Sequence, residues 1–290
     1  SSLFRGGTAQ GVTKLALAVA VKGPWEPDRL LHHLQAAGVP ASTEIHVACD
    51  AAHEPASPQG SMIIHAIARK SLFELWAIAI RGSDSPWIAI LHADALPAPG
   101  WFEAVDEAIG RSQGCDGFWG PVEPGVQPYD LRMVAYLTEY VQFHRPAHPR
   151  LLEVPGSNLI LPRVVLGSMP EFSKTRLVGQ GLTPARVEDA VVLYTRQIRF
   201  SAYCRRRYRH ARAYAATRVP RPPLPVAIAM TLALPAVRTV RAFRHAWRHR
   251  HLRMPVLRWL SHVAIAETWW SAGELVGYWT RRQGALPDID

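Results

Sequence analysis

The sequence predicts an α/β fold, a mostly parallel sheet flanked by helices, continuing into a basic helical C-terminal part. Three observations lead there. Short apolar runs recur at 15–21, 44–48 and 87–91, the pattern of strands buried on both faces. Segments with helical spacing of apolar residues alternate with them, so each strand–helix–strand unit implies a right-handed crossover to a parallel neighbour. Beyond Arg199 the composition turns to Arg, His and aromatic residues.

The first strand lies between Lys14 and Lys22 and stops at Lys22-Gly23-Pro24-Trp25. Pro27 and Asp28 open a helix with Leu30, Leu31 and Leu34 on one face, and Gly38 with Pro40 ends it. A second strand runs into Cys49-Asp50, where Asp50 is also a natural turn or cap residue. A third strand is expected at 61–66 and a helix capped by Ser71 at 71–80, with Trp76 as a core residue. The central strand, 87–91, breaks at His92 and Asp94 into a Pro/Gly turn. In open α/β sheets that strand end is where ligands bind, and a carboxylate and an imidazole two residues apart can face a cation or its phosphates there. A helix at 101–109, a strand at 117–122 on the far side of the sheet and a helix at 131–143 follow. The aromatics of the last, Tyr136, Tyr140 and Phe143, read as packing.

A chain of 290 residues with 48% hydrophobic content can bury a sizeable core in one large or two small domains. Cys49, Cys115 and Cys204 are far apart and form no C-x-x-C, which argues against a disulfide framework or a zinc site and for a reducing cytoplasm. No long apolar stretch resembling a secretory leader stands near the N-terminus. The net charge of +10 is concentrated after Arg199 and calls for an anionic partner. The lack of G-x-x-x-x-G-K-[ST] and of G-x-G-x-x-G disfavours NTPase and dinucleotide-binding functions.

The run Ile90-Leu91-His92-Ala93-Asp94-Ala95-Leu96-Pro97-Ala98-Pro99-Gly100-Trp101 resembles the "strand, D-x-D, P-x-P-G-W" segment of family 2 glycosyltransferases, which have the GT-A fold. Pro155-Gly156-Ser157-Asn158 through Arg163 is similar to that family's "P-G-x-N, apolar, x-R" stretch. Residues 205–215 and 273–278 resemble segments of its membrane-associated bacterial members. The resemblance implies a GT-A domain over 1–199 and a membrane-associated or oligomerising tail over 200–290. It implies metal-assisted, inverting transfer of a sugar from a nucleotide-sugar donor to a hydroxyl of a lipid or glycan acceptor, with Mn²⁺ or Mg²⁺ as cofactor.

Residue by residue, it places the nucleotide on Val21, Lys22, Asp50 and Ala93, and the metal on Asp94 with His92 in place of the first Asp. Gly156, Ser157 and Asn158 stand beside the donor sugar and acceptor, since small residues allow close backbone approach and an amide both donates and accepts. Glu188 and Asp189 supply the catalytic carboxylates, with Asp189 as general base. Two registers stay open there. Either the pair opens a helix, or β-branched 191–195 is the strand that normally follows it, in which case the helix is shortened or missing and Glu171 is the remaining acidic candidate.

In the tail, 224–237 reads as too short and proline-broken for a span of ~20 apolar residues, so it lies in an interface or forms half of a hairpin. The Arg/His-rich stretch after it suits anionic headgroups, placing the protein at the inner face of a membrane. Glu267 and Glu274 read as partnered structural carboxylates in a last helix over 256–279. Two rivals accompany this reading. One is a degenerate relative that binds nucleotide-sugar or membrane without turnover. The other is a nucleic-acid-binding protein built on the arginines of 205–215, which the membrane-facing reading of those arginines disfavours.

Overall fold

A computed structural model describes residues 14–55, 61–68, 70–112, 115–125, 130–147, 153–167, 172, 181–217 and 222–280; Glu171 lies outside them. The apolar runs form β1 (Leu15–Val21), β2 (Glu44–Cys49), β3 (Met62–Ala66) and β4 (Trp87–His92). Every residue of β1 is buried, as a strand covered on both faces must be. Between them lie α1 (Pro27–Ala36) and α2 (Leu72–Arg81). Ser71 and Glu74 form a reciprocal capping box that satisfies two free amides at the start of α2. Next come β5 (Ala95–Pro97), α3 (Trp101–Arg111), β6 (Phe118–Trp119), β7 (Val122–Pro124), α4 (Met133–Glu139), β8 (Asn158–Pro162), α5 (Arg163–Leu166), β9 (Ala185–Arg186) and β10 (Val192–Tyr194).

The main sheet has the order β3-β2-β1-β4-β8-β6-β9, and β5-β10-β7 forms a smaller one. β1 through β4 are mutually parallel, and β8 runs antiparallel between β4 and β6. The chain steps from β1 outward to β2 and β3, then returns to the other side of β1 as β4. That reversal opens a crevice beyond the carboxyl ends of β1 and β4, the place where open α/β sheets bind ligands. Because β8 is antiparallel, its amino end reaches the same edge, with Asn158 opposite Leu91.

Two expectations change. The single strand expected at 117–122 is split, β6 joining the main sheet and β7 the small one. Gly120-Pro121 is the break: proline offers no amide to a ladder, and a Cβ on Gly120 would stand 1.8 Å from the Ala190 carbonyl oxygen. In the tail, 224–237 is not interrupted by its prolines but runs on into α7 (Leu224–Trp247), between α6 (Phe200–Thr217) and α8 (Arg253–Thr280). Pro225 sits in the first turn, where no amide is needed, and the single interior proline, Pro235, is carried by the helix on both sides of it. By length and composition Pro225–Trp247 could cross a membrane.

Small residues bring α6 and α8 together. Gly273 and Gly277, one turn apart, leave room for backbone contact, since an added Cβ would stand 2.2 Å from the Tyr208 carbonyl oxygen and 2.4 Å from that of Arg212. Arg207 of α6 pairs with Glu267 of α8 at 2.6 Å, and Arg238 of α7 pairs with Glu274 of α8 at 3.2 Å. Trp270 lies under both guanidinium groups, 4.2 Å and 4.7 Å from its ring, and donates its indole N–H to Glu274. The two carboxylates are thus partnered.

Candidate functional site

The edge beyond β1, β2 and β4 collects residues that are far apart in sequence. Val21 ends β1 opposite Cys49 of β2, and the Ala93 amide donates to the Ala20 carbonyl at 3.2 Å, so Val21, Asp50 and Ala93 line one crest. Asp50 caps a short 3-10 turn by accepting from the Ala52 amide at 3.1 Å, which leaves its second carboxylate oxygen for a ligand. Lys22 donates its ammonium to the Lys70 carbonyl at 3.0 Å, tying the end of β1 to the start of α2. Burial and the neighbouring Glu54 and Asp50 raise the Cys49 thiol to about 11, so it stays protonated.

The polar turn after β4 is built by hydrogen bonds within itself. The Asp94 amide donates to His92 Nδ1 at 3.0 Å, which makes Nδ1 an acceptor and puts the ring proton on Nε2. Burial holds the imidazole below its ordinary pKa, against the opposing pull of Asp94. With Nδ1 used and Nε2 protonated, His92 has no lone pair left for a metal, and the structure gives it the job of shaping the turn that presents Asp94. Asp94 itself is 32% exposed at the strand end. Its carboxylate fits a hard cation that takes its remaining oxygens from a phosphate ligand. Among the described residues no group of three or more His, Cys, Asp or Glu side chains is placed to hold a metal ion without such help.

Of the Gly156, Ser157, Asn158 turn, Ser157 and Asn158 are fully buried. Asn158 Oδ1 accepts from the Trp101 indole at 3.1 Å, while Nδ2 donates to the carbonyls of Pro121 at 3.1 Å and Ala190 at 2.7 Å. The amide therefore pins α3, the β6–β7 break and the approach to β10 together, and Gly156 is the part of the turn open to a ligand. Trp76 is likewise core, donating its indole N–H to the Leu91 carbonyl at 2.7 Å.

Glu188 and Asp189 do not open a helix. Val191 and the strand β10 follow them directly, pairing antiparallel with β5 and parallel with β7, because the β-branched run fits the small sheet. Of the two open registers, the structure has the one without the helix at this pair. Glu188 pairs with Arg186 at 2.7 Å, and Asp189, 88% exposed, has Arg145 at 3.8 Å. They stand at the opposite end of β10 from Asp94, which meets Thr195 instead through a 2.8 Å backbone bond.

Sequence reasoning missed what arrives at Asp94 from β10 and α4. Arg196 is 19% exposed, and its Nε lies 3.7 Å from Asp94 Oδ2. Glu139, at the end of α4, accepts from Tyr203 at 3.0 Å and Arg206 at 2.7 Å, joining α4 to α6. Tyr140 and Tyr194 lie beside them with their rings tilted and centroids 4.7 Å apart, and burial raises both phenols far above the ordinary range. Nothing local marks these residues, since each becomes visible only when β10 pairs with β5.

No family model and no curated protein matches the chain. A solved mannosyltransferase from Pyrobaculum calidifontis, in complex with GDP-Man and Mn²⁺, aligns with 93% of this chain and 88% of its own at a TM-score of 0.54 and 16% identity. The fold is GT-A. At that identity the likeness is one of GT-A architecture, including the mostly parallel sheet and the helices on either side. GalNAc-T7 with UDP, GalNAc and Mn²⁺ aligns with 63% of this chain and 43% of its own at 11% identity. A mycobacterial protein covers 63% of this chain and 68% of its own at 12% identity, and the two TM-scores, 0.46 and 0.41, are too low to compare sites.

Proposed function

We propose that this chain is a nucleotide-sugar-dependent glycosyltransferase whose donor lies across the carboxyl ends of β1, β2 and β4, with Val21, Lys22, Asp50 and Ala93 around the nucleotide. The observation that carries the reading is Asp94, partly exposed, on a rigid turn at the switch point of a GT-A sheet. Asp94 would hold Mn²⁺ or Mg²⁺ against the donor in this reading, and the ion would supply neutralising charge to the leaving diphosphate. Gly156 borders the sugar, with buried Ser157 and Asn158 supporting it from beneath. The acceptor would be a hydroxyl of a lipid or glycan, with inversion at the sugar, and in the register without the helix the acidic candidate for its proton is Glu171 rather than Asp189, which stands at the far end of β10 from Asp94.

The tail belongs to the same reading. Val226, Ile228, Leu232, Val237 and Val240 are exposed along α7, followed by exposed Arg244, Arg248, Arg250 and Arg253, an arrangement suited to an anionic membrane surface. This supports residence at the inner face of a membrane and a lipid-borne acceptor.

A thermal-shift panel of UDP, GDP, dTDP and their sugars, with Mn²⁺, Mg²⁺ or EDTA, tests the donor site in wild type and Asp94→Ala. A metal-dependent shift with one base, lost in the variant, is expected; no shift with any of them in a folded sample rejects the reading. A second reading, a donor-binding protein that does not transfer sugar, is favoured by the strand that follows Glu188-Asp189 where the family pattern has a helix. Release of labelled sugar from the bound donor separates the two.

A further inference from the structure

Arg196 is a partly buried cation with a loose partner. Its side chain is 19% exposed, yet its one ion pair among the described residues is a loose contact, Nε to Asp94 Oδ2 at 3.7 Å. Nearby acidic charge is spent elsewhere. Glu139 is taken up by Arg206 and Tyr203, and the Tyr140 and Tyr194 phenols are kept neutral by burial. A guanidinium offers five N–H donors in a planar fork, and withdrawing it from water without partners is costly. The backbone nevertheless fixes it there, because Thr195 donates to the Asp94 carbonyl at 2.8 Å and places the next residue against the turn.

We propose that Arg196 is the diphosphate-recognising residue of this site, a positive charge beside the Asp94 carboxylate that engages two phosphate oxygens through its unused donors. This rests on the donor-site reading above. The chemistry fits a diphosphate better than a single carboxylate, since the fork matches paired oxygens and the position lies beside Asp94, beyond the carboxyl end of β4. In the ligand-free protein Asp94 serves as the temporary partner of the guanidinium.

The test is calorimetric binding of UDP, GDP and dTDP, with the matching nucleosides, to the full chain and to Arg196→Gln and Arg196→Lys, in EDTA and in Mn²⁺. Arg196→Gln is expected to lose about tenfold or more in diphosphate affinity, as for a charge-assisted pair, with nucleoside affinity unchanged. Arg196→Lys keeps the charge without the fork and should fall between, and it carries the test where the Gln variant does not fold. Asp94→Asn gives a readout that a merely structural arginine would not move: in EDTA it frees Arg196 and strengthens diphosphate binding, whereas in Mn²⁺ it weakens it. Diphosphate binding by a folded Arg196→Gln at wild-type strength overturns the role of Arg196 alone. Failure of the wild type to bind any of the nucleotides overturns the donor site itself.

Discussion

Replacing Asn158 separates a sugar-contacting amide from a structural one. The side chain is fully buried and makes three hydrogen bonds, at 3.1, 3.1 and 2.7 Å. Asn158→Ala strands the Trp101 indole and two carbonyls, each costing roughly 1–3 kcal/mol when buried without a partner. After allowance for a water entering the gap, the loss should be about 3–5 kcal/mol. Asn158→Asp is the sharper probe. It keeps the acceptor for Trp101 but turns two donors into an acceptor facing two carbonyl oxygens, so the carboxyl is driven to its protonated form. Its folded pKa is then raised above the unfolded value, and the variant is most stable at low pH and loses stability as pH rises through the folded pKa. Urea unfolding followed by circular dichroism at pH 4 and pH 8 measures both. Should Asn158→Ala unfold within about 0.5 kcal/mol of wild type while donor affinity collapses, the amide faces the sugar and the reasoning from these three bonds is wrong.

Other consequences follow from the packing of the tail. His144 is buried against His249 and His251, with ring centroids 4.3 and 4.9 Å away, and hydrogen-bonds to Tyr136 at 2.8 Å. Burial first, then His249, His251 and Arg145, pull its pKa down to about 3. A depressed imidazole is stable neutral, so its contribution is complete above the unfolded value of ~6.5 and is lost as pH falls toward the folded one, about 2 kcal/mol by pH 5. Melts of wild type and His144→Gln at pH 7.5 and pH 5 should show the larger acid loss in wild type, and equal losses would contradict this. Gly277→Ala should lower stability by about 1–3 kcal/mol despite alanine's better helix propensity, because its Cβ meets the Arg212 carbonyl oxygen; a gain in denaturant midpoint would mean that α6 and α8 part freely. Glu267→Gln leaves Arg207 buried with no charge partner and should cost about 3–5 kcal/mol, read from the same unfolding curves.

The amino-acid order alone carried the strands, because a run such as Leu15–Val21 can satisfy its backbone and hide its side chains only inside a parallel sheet. It also carried the polar break at His92 and Asp94 and the small-residue turn at Gly156, since both interrupt apolar runs where a sheet must end. It could not assign work to those residues. His92 and Asn158 have the side chains a ligand site needs, and which groups use them up depends on the Asp94 amide in one case and on Trp101, Pro121 and Ala190 in the other. The helix expected at Glu188-Asp189 was open from the start, and strand pairing decided it: β10 finds β5 and β7 as neighbours only once the sheet order is set. Arg196 is the clearest case. Local sequence encodes the period of burial, but the meeting of residues 94 and 196 at 3.7 Å is a property of two strand ends brought side by side, and only the tertiary structure contains it.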